Sequence, residues 1–294
     1  MRKLLYLLLI ISLASCCKVK AESEEENKQD SSISKNLNVS ILIDLSDRID
    51  TIKHPNGTMP YFQRDIEYIK AINKGFTDHI QAKKMIQLDD QMQIFFNPEP
   101  SSPQMNNLIK QLRISFKRND FKDSIDTIKK RYAAFSSEIY QSAIRDGNYV
   151  GSDIWGFFSN KVKDYCIKDH HRNILFILTD GYMYHDNSKF SQGTETSYLT
   201  SNLINSLGLT TSNYKSKIEK EKLGFIKAND DLKNLEVIVL GINPEKGNPF
   251  EEGVIRKYWE DWLKGMDVKS YQVKSADLPS NLEPLIQKIM ILKN

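Results

Sequence analysis

Three short stretches of the chain end in oxygen-bearing side chains. Residues 39–48 read Val-Ser-Ile-Leu-Ile-Asp-Leu-Ser-Asp-Arg, an apolar run that stops abruptly at Asp44, Ser46 and Asp47. Residues 173–181 repeat the pattern and end in Thr179, Asp180 and Gly181. Between them, Gly151-Ser152-Asp153-Ile154 opens a helical pattern after a turn flanked by glycines. Short runs of β-branched and aliphatic residues predict strands buried on both faces, as in a parallel sheet covered by helices. Such sheets bind ligands in the crevice outside the carboxyl ends of their strands, where loops converge. The carboxylates and hydroxyls at these strand ends therefore mark a site.

The elements that must position these residues follow from hydrophobic spacing. Residues 62–83 carry Ile66, Ile69, Ile72 and Phe76 at helical intervals, and a strand over 91–96 is stopped by Asn97-Pro98. Residues 103–114 predict a short helix. Residues 121–145 place Ile125, Ile128, Tyr132, Phe135, Ile139 and Ala143 on one core-facing helical stripe. A helix over 154–168 follows, which Ser152 would cap as readily as it would bind a ligand. Strands at 236–241 and, edge-like, at 268–273 alternate with a helix rich in Tyr258, Trp259 and Trp262 and with a closing helix around Leu282, Leu285, Ile286 and Ile289. This alternation predicts an α/β fold over 38–294: a doubly wound, mostly parallel sheet with helices on both faces.

Two connections stand out. The turn-rich loop 50–61 passes near the site. Residues 182–234 exceed an ordinary βα connection and read as an insertion at the mouth of the site, a lid or recognition surface. Arg48, Tyr182 and Tyr184 are expected at its partner-binding rim.

The three motifs together resemble those of the von Willebrand factor A domain. Its metal-ion-dependent adhesion site combines Asp-x-Ser-x-Ser after the first strand, a Thr in a later loop, and an Asp in a Thr-Asp-Gly sequence. Asp44 and Ser46 match the first motif, Ser152 stands where the family has Thr, and Asp180 matches the last. Arg48 departs, standing where the third motif residue should be Ser. The resemblance implies Asp44, Ser46, Ser152 and Asp180 as ligands of Mg²⁺, or alternatively Mn²⁺ or Ca²⁺, hard cations that take oxygen donors and keep several waters. In that family a partner's carboxylate fills the open position. Arg48 either forms an ion pair with Asp44 or Asp180 in the cation's place, or points into the loop and costs one ligand.

The N-terminus predicts export. Arg2 and Lys3 precede an apolar run over 4–14, a secretory signal too short to span a bilayer permanently. Leu13-Ala14-Ser15-Cys16 resembles the lipobox of bacterial lipoproteins, implying cleavage after residue 15 and lipidation of Cys16. Residues 16–37 are polar and rich in acidic side chains and Ser, a solvated tether of about 20 residues. The acidic run also resembles the surface-export signal of Bacteroidetes lipoproteins, and no Asp follows Cys16 to retain the protein at the inner membrane. The expected location is the cell envelope, as an outer-membrane lipoprotein exposed at the surface if that signal operates. Of the remaining cysteines, Cys17 lies in the tether and Cys166 reads as a buried core thiol, so neither disulfide nor zinc chemistry is expected.

Composition excludes little more. The 294 residues carry 41 Lys and Arg against 38 Asp and Glu, a net charge of +3 too balanced to imply nucleic acid. Asp44 is also similar to the nucleophilic Asp of haloacid dehalogenase-type phosphatases, but those carry a second Asp two residues on, where this chain has Ser46. Hydrolase motifs are lacking and no enzyme activity is expected. The expectation is an envelope lipoprotein, anchored to the membrane by its lipid, whose A-domain-like fold binds another protein or an envelope component. The alternative is a metal-free scaffold using the 182–234 insertion.

Overall fold

A computed structural model describes residues 35–147, 149 and 151–291. The expected signal segment 1–15, Cys16 and the expected tether up to residue 34 lie outside the described residues. The unit opens with β1 (Asn36–Ile43) and α1 (Tyr61–Ala82), then β2 (Asp90–Phe95), α2 (Pro103–Gln111), β3 (Ile114–Phe116) and α3 (Ile125–Asp146). It continues with α4 (Ile154–Asn160), α5 (Val162–Cys166) and β4 (His171–Leu178). The inserted region contributes β5 (Ser191–Gln192), β6 (Glu195–Thr196), α6 (Ser201–Ser206), α7 (Tyr214–Glu221) and β7 (Gly224–Phe225). The chain closes with β8 (Leu235–Ile242), α8 (Glu251–Gly265), β9 (Ser270–Ser275) and α9 (Pro279–Ile291).

The main sheet runs in the order β3-β2-β1-β4-β8-β9 and is parallel except for β3. β1 and β4 pair over their whole length, from Asn36 opposite His171 to Ile43 opposite Leu178, so Asp44 and Thr179 emerge side by side. Alternation along the strands sends neighbouring residues to opposite faces. Val39, Ile41, Ile43, Ile174 and Phe176 pack with α1, α3 and α9, while Leu42, Leu175, Ile177, Val237 and Val239 pack with α4, α5, α8 and the insertion. The doubly wound α/β arrangement read from the alternation of elements is what the chain forms.

Several boundaries differ from the sequence reading. The helix predicted over 103–114 ends at Gln111, because Ile114 and Phe116 turn inward as a short antiparallel edge strand on β2. The helix predicted over 154–168 breaks at Lys161, whose backbone (φ −127°) leaves the helical region, and the second piece ends at Cys166. α3 begins at Ile125 rather than 121, leaving Phe121 outside it and exposed. β1 begins at Asn36, two residues before the expected start of the domain. The insertion carries its own small sheet, β5-β6-β7, and the two short helices α6 and α7. Cys166 is buried, as expected.

Candidate functional site

The carboxyl ends of β1 and β4 hold Asp44 and Asp180 at the floor of a cleft of about 1230 Å³. Ser46, Arg48, Ser152, Tyr182 and Tyr184 line the same cleft, so the structure brings together every residue singled out by the motifs. Loop 50–61 forms one wall through Lys53, His54 and Tyr61, and the loop after β8 forms another through Asn243 and Glu245.

Backbone geometry sets this floor. The Asp44 amide donates to the Leu178 carbonyl (3.0 Å), and the Thr179 amide to that of Leu240 (3.1 Å), extending the ladder one residue past each strand. The Asp44 carboxylate accepts from the Ser46 amide (2.8 Å) on one oxygen and from the Thr179 hydroxyl (2.9 Å) on the other. Asp180 accepts from the Tyr182 amide (3.1 Å), and its carbonyl receives the Asn243 amide (2.9 Å). Gly181 has φ +101°, and a Cβ there would lie 2.6 Å from Ile255 and 2.7 Å from Ile242. Only glycine fits this turn, which delivers Asp180 to the cleft.

Ser152 reaches the floor by a different device. Gly151 bridges to Leu45 and Ser152 to Tyr184, both antiparallel, so the segment before α4 is clamped between the β1 loop and the insertion. The helix cap is Asp153, not Ser152: its Oδ1 accepts from the Gly156 amide (2.8 Å) and from the Ser188 hydroxyl (2.6 Å). Ser152 is 4% exposed, and neither its hydroxyl nor that of Ser46 hydrogen-bonds another described residue. The Ser152 side chain lines the cleft, where water or a bound ligand can satisfy its hydroxyl.

Arg48 corrects the rim reading. It is only 3% exposed, because its guanidinium turns inward, with Nη2 making its hydrogen bonds and Nε buried without one. Nη2 lies 2.5 Å from Asp65 of α1 and donates to the carbonyls of Asp44 (3.0 Å) and Leu178 (3.1 Å), while Nε lies 3.5 Å from the Asp44 carboxylate. The ion pair with Asp44 expected as one option is present, and its stronger arm goes to Asp65, which also accepts from the Tyr140 hydroxyl (2.8 Å). Burial opposes the charge on Arg48, but Asp65 and Asp44 hold it firmly protonated. Tyr182 is likewise less available than expected, donating its hydroxyl to Glu251 (2.6 Å) and accepting from the Glu245 amide (2.9 Å). Tyr184 is exposed at the rim, edge-on to Tyr198, with the Lys189 ammonium over both rings.

The electrostatic balance is lopsided. One buried cation, Arg48, faces Asp44, Asp65 and Asp180. Burial and the Asp44 charge push Asp180 up to about 7, against the pull of Arg48, and burial likewise raises Asp65. A floor carrying more carboxylates than cations, with two unpartnered hydroxyls beside it, matches the oxygen donor set of a hard divalent ion. Among the described residues no group of three or more His, Cys, Asp or Glu is gathered to hold a metal, so a cation here would depend on the hydroxyls. Arg48 divides its charge between Asp65 and Asp44 and so occupies part of the place a cation would take, while Asp44, Ser46, Ser152 and Asp180 remain the oxygen donors that line the cleft.

The sequence reading missed Asp65 and Tyr140, and it assigned neither the Thr179 bond to Asp44 nor the α4 cap to Asp153. Asp65 left a trace: it lies three and four residues before Tyr68 and Ile69, a carboxylate on the apolar stripe of α1, and a buried carboxylate requires a cation partner. Neither a protein-family model nor a curated protein matches the chain. No helix of the described residues is long and apolar enough to cross a membrane.

Proposed function

We propose that this chain is an envelope lipoprotein, anchored through Cys16, whose A-domain-like unit binds an acidic group of a partner protein or envelope component in the cleft above Asp44 and Asp180. What supports the reading above all is the convergence of the Ser46 and Ser152 hydroxyls, both lacking partners among the described residues, with two carboxylates at adjacent strand ends. Asp44, Ser46, Ser152 and Asp180 would hold a divalent cation, Mg²⁺ being the best match to hydroxyl and carboxylate donors with retained waters. The ion supplies an electrophilic position for a partner's carboxylate. The chain's own residues do the rest. Thr179 and the Ser46 amide orient Asp44, Arg48 neutralises part of the floor, and the Gly151–Leu45 bridge holds Ser152 in register.

Calorimetric titration of the protein with Mg²⁺, Mn²⁺ and Ca²⁺, beside Asp44→Ala and Asp180→Ala, tests this. Saturable heat lost in both variants is expected. Absence of heat from a folded protein overturns the metal reading and leaves the Tyr184, Tyr198 and Lys189 rim of the insertion as the recognition surface.

A further inference from the structure

Opposite the cleft, at the amino ends of β1 and β2, three large apolar side chains stand in water together. Met85 is 45% exposed, Ile86 55% and Phe121 75%. They belong to two tips tied to each other: the Asn119 amide donates to the Met85 carbonyl (2.9 Å), and the Lys122 ammonium to the carbonyls of Gln81 (3.0 Å) and Lys83. The Lys83 ammonium in turn bonds Asn36, the first residue of β1, and Asp90 (2.7 Å). The apolar tips therefore lie beside the point where the chain enters the folded unit. The same tips carry Lys84, Lys117, Arg118 and Lys122 against Asp120 and Asp123, and Lys35 precedes the entry point.

We infer that this end of the unit is a lipid-contacting surface, with Met85, Ile86 and Phe121 entering the interface and the surrounding cations meeting anionic headgroups. Apolar side chains at a loop tip ringed by Lys and Arg have the composition that binds bilayer surfaces, where burial and headgroup attraction act together. The position of the entry point argues for a membrane over a protein partner. A lipid on Cys16 is separated from Lys35 by roughly twenty residues, which span at most about 65 Å and so keep the unit near the bilayer. The patch supplies the orientation. β1 spans eight residues, so contact at its amino end lifts the Asp44 cleft about 25 Å from the surface and turns it outward. This inference rests on the envelope-anchored reading, while the cleft and its cation are independent of it.

The test uses the full chain incorporated in phosphatidylglycerol vesicles, carrying Phe121→Trp or, as a control beside the cleft, Ile52→Trp. Both positions are exposed, Ile52 by 90%, so the fold tolerates either change. The native Trp155, Trp259 and Trp262 give a common background. With brominated acyl chains in the vesicles, the tryptophan at 121 is expected to blue-shift and lose emission while that at 52 keeps both. Adding Lys117→Glu and Arg118→Glu should reduce the loss at 121, and full quenching in that variant overturns the electrostatic argument. Equal emission at 121 with and without bromine, or equal quenching at both positions, overturns the proposal. A blue shift at 121 without quenching identifies a second copy of the chain as the occupant and also overturns it. A protein that fails to float with vesicles overturns the envelope reading itself.

Discussion

Replacing Arg48 with Met keeps the length of the side chain and removes its charge. Two buried carboxylates then lose their cation, Asp65 at 2.5 Å and Asp44 at 3.5 Å, and the Asp44 and Leu178 carbonyls lose a donor. Breaking one arm of a buried ion pair costs about 3–5 kcal/mol, mostly the penalty of the stranded charge. For a unit of this size that corresponds to a fall in Tm of roughly 6–20 °C. The assay is urea unfolding followed by near-ultraviolet circular dichroism, with the midpoint shifting and the slope unchanged. Asp65→Asn, added to Arg48→Met, removes the stranded charge yet leaves an oxygen for the Tyr140 hydroxyl. It should recover at least half of the loss, because residues sharing one ion pair are not additive. A loss below about 1 kcal/mol, or a double variant no more stable than the single one, would refute the argument that Arg48 is held by Asp65 rather than displayed at the rim.

Other expectations concern the site and the sheet. Asp153→Ala should cost about 1–2 kcal/mol in chemical denaturation through loss of the α4 cap, whereas Ser152→Ala should change stability by less than about 0.5 kcal/mol while weakening Mg²⁺ binding in calorimetry. The reverse ranking would make Ser152 the structural residue. Gly181→Ala should lower stability by about 1–3 kcal/mol from backbone strain alone, with more from the clash against Ile242 and Ile255, and a neutral result would contradict the turn that presents Asp180. At the other end of the sheet, burial would raise the Glu236 carboxyl, but Arg172, bonded through Nε (2.9 Å) and Nη2 (2.7 Å), and Lys269 hold it below the ordinary range. Its stabilisation is therefore complete above the usual carboxylate range and lost as pH falls through the lowered value. Glu236→Gln should flatten the decline of the urea midpoint on acidification, and an unchanged slope would exclude this pair from acid unfolding.

The layout of strands was legible in the sequence because both-face burial demands unbroken apolar runs, and β1, β4 and β8 each display one. The helices of α1, α3 and α8 were legible for the same reason, their stripes being long enough to show the helical period. β3 escaped notice because three residues are too few to separate a strand from a helix end, and only pairing with β2 decides them. The break at Lys161 is likewise invisible in a periodic apolar stretch.

At the site, motif and strand termination alone show which oxygen donors stand at the strand ends: Asp44, Ser46 and Asp180. Where Arg48 goes depends on the folded chain. Its partner Asp65 lies 17 residues away on α1, and a charge of fixed type can face solvent or core depending on whether a buried carboxylate waits for it. The folded chain also makes Asp153 rather than Ser152 the cap of α4, which leaves the Ser152 hydroxyl free at the cleft. Adjacent residues compete for one cap, and the bridges of the Gly151–Ser152 segment to Leu45 and Tyr184, long-range contacts absent from any local pattern, settle which of them wins.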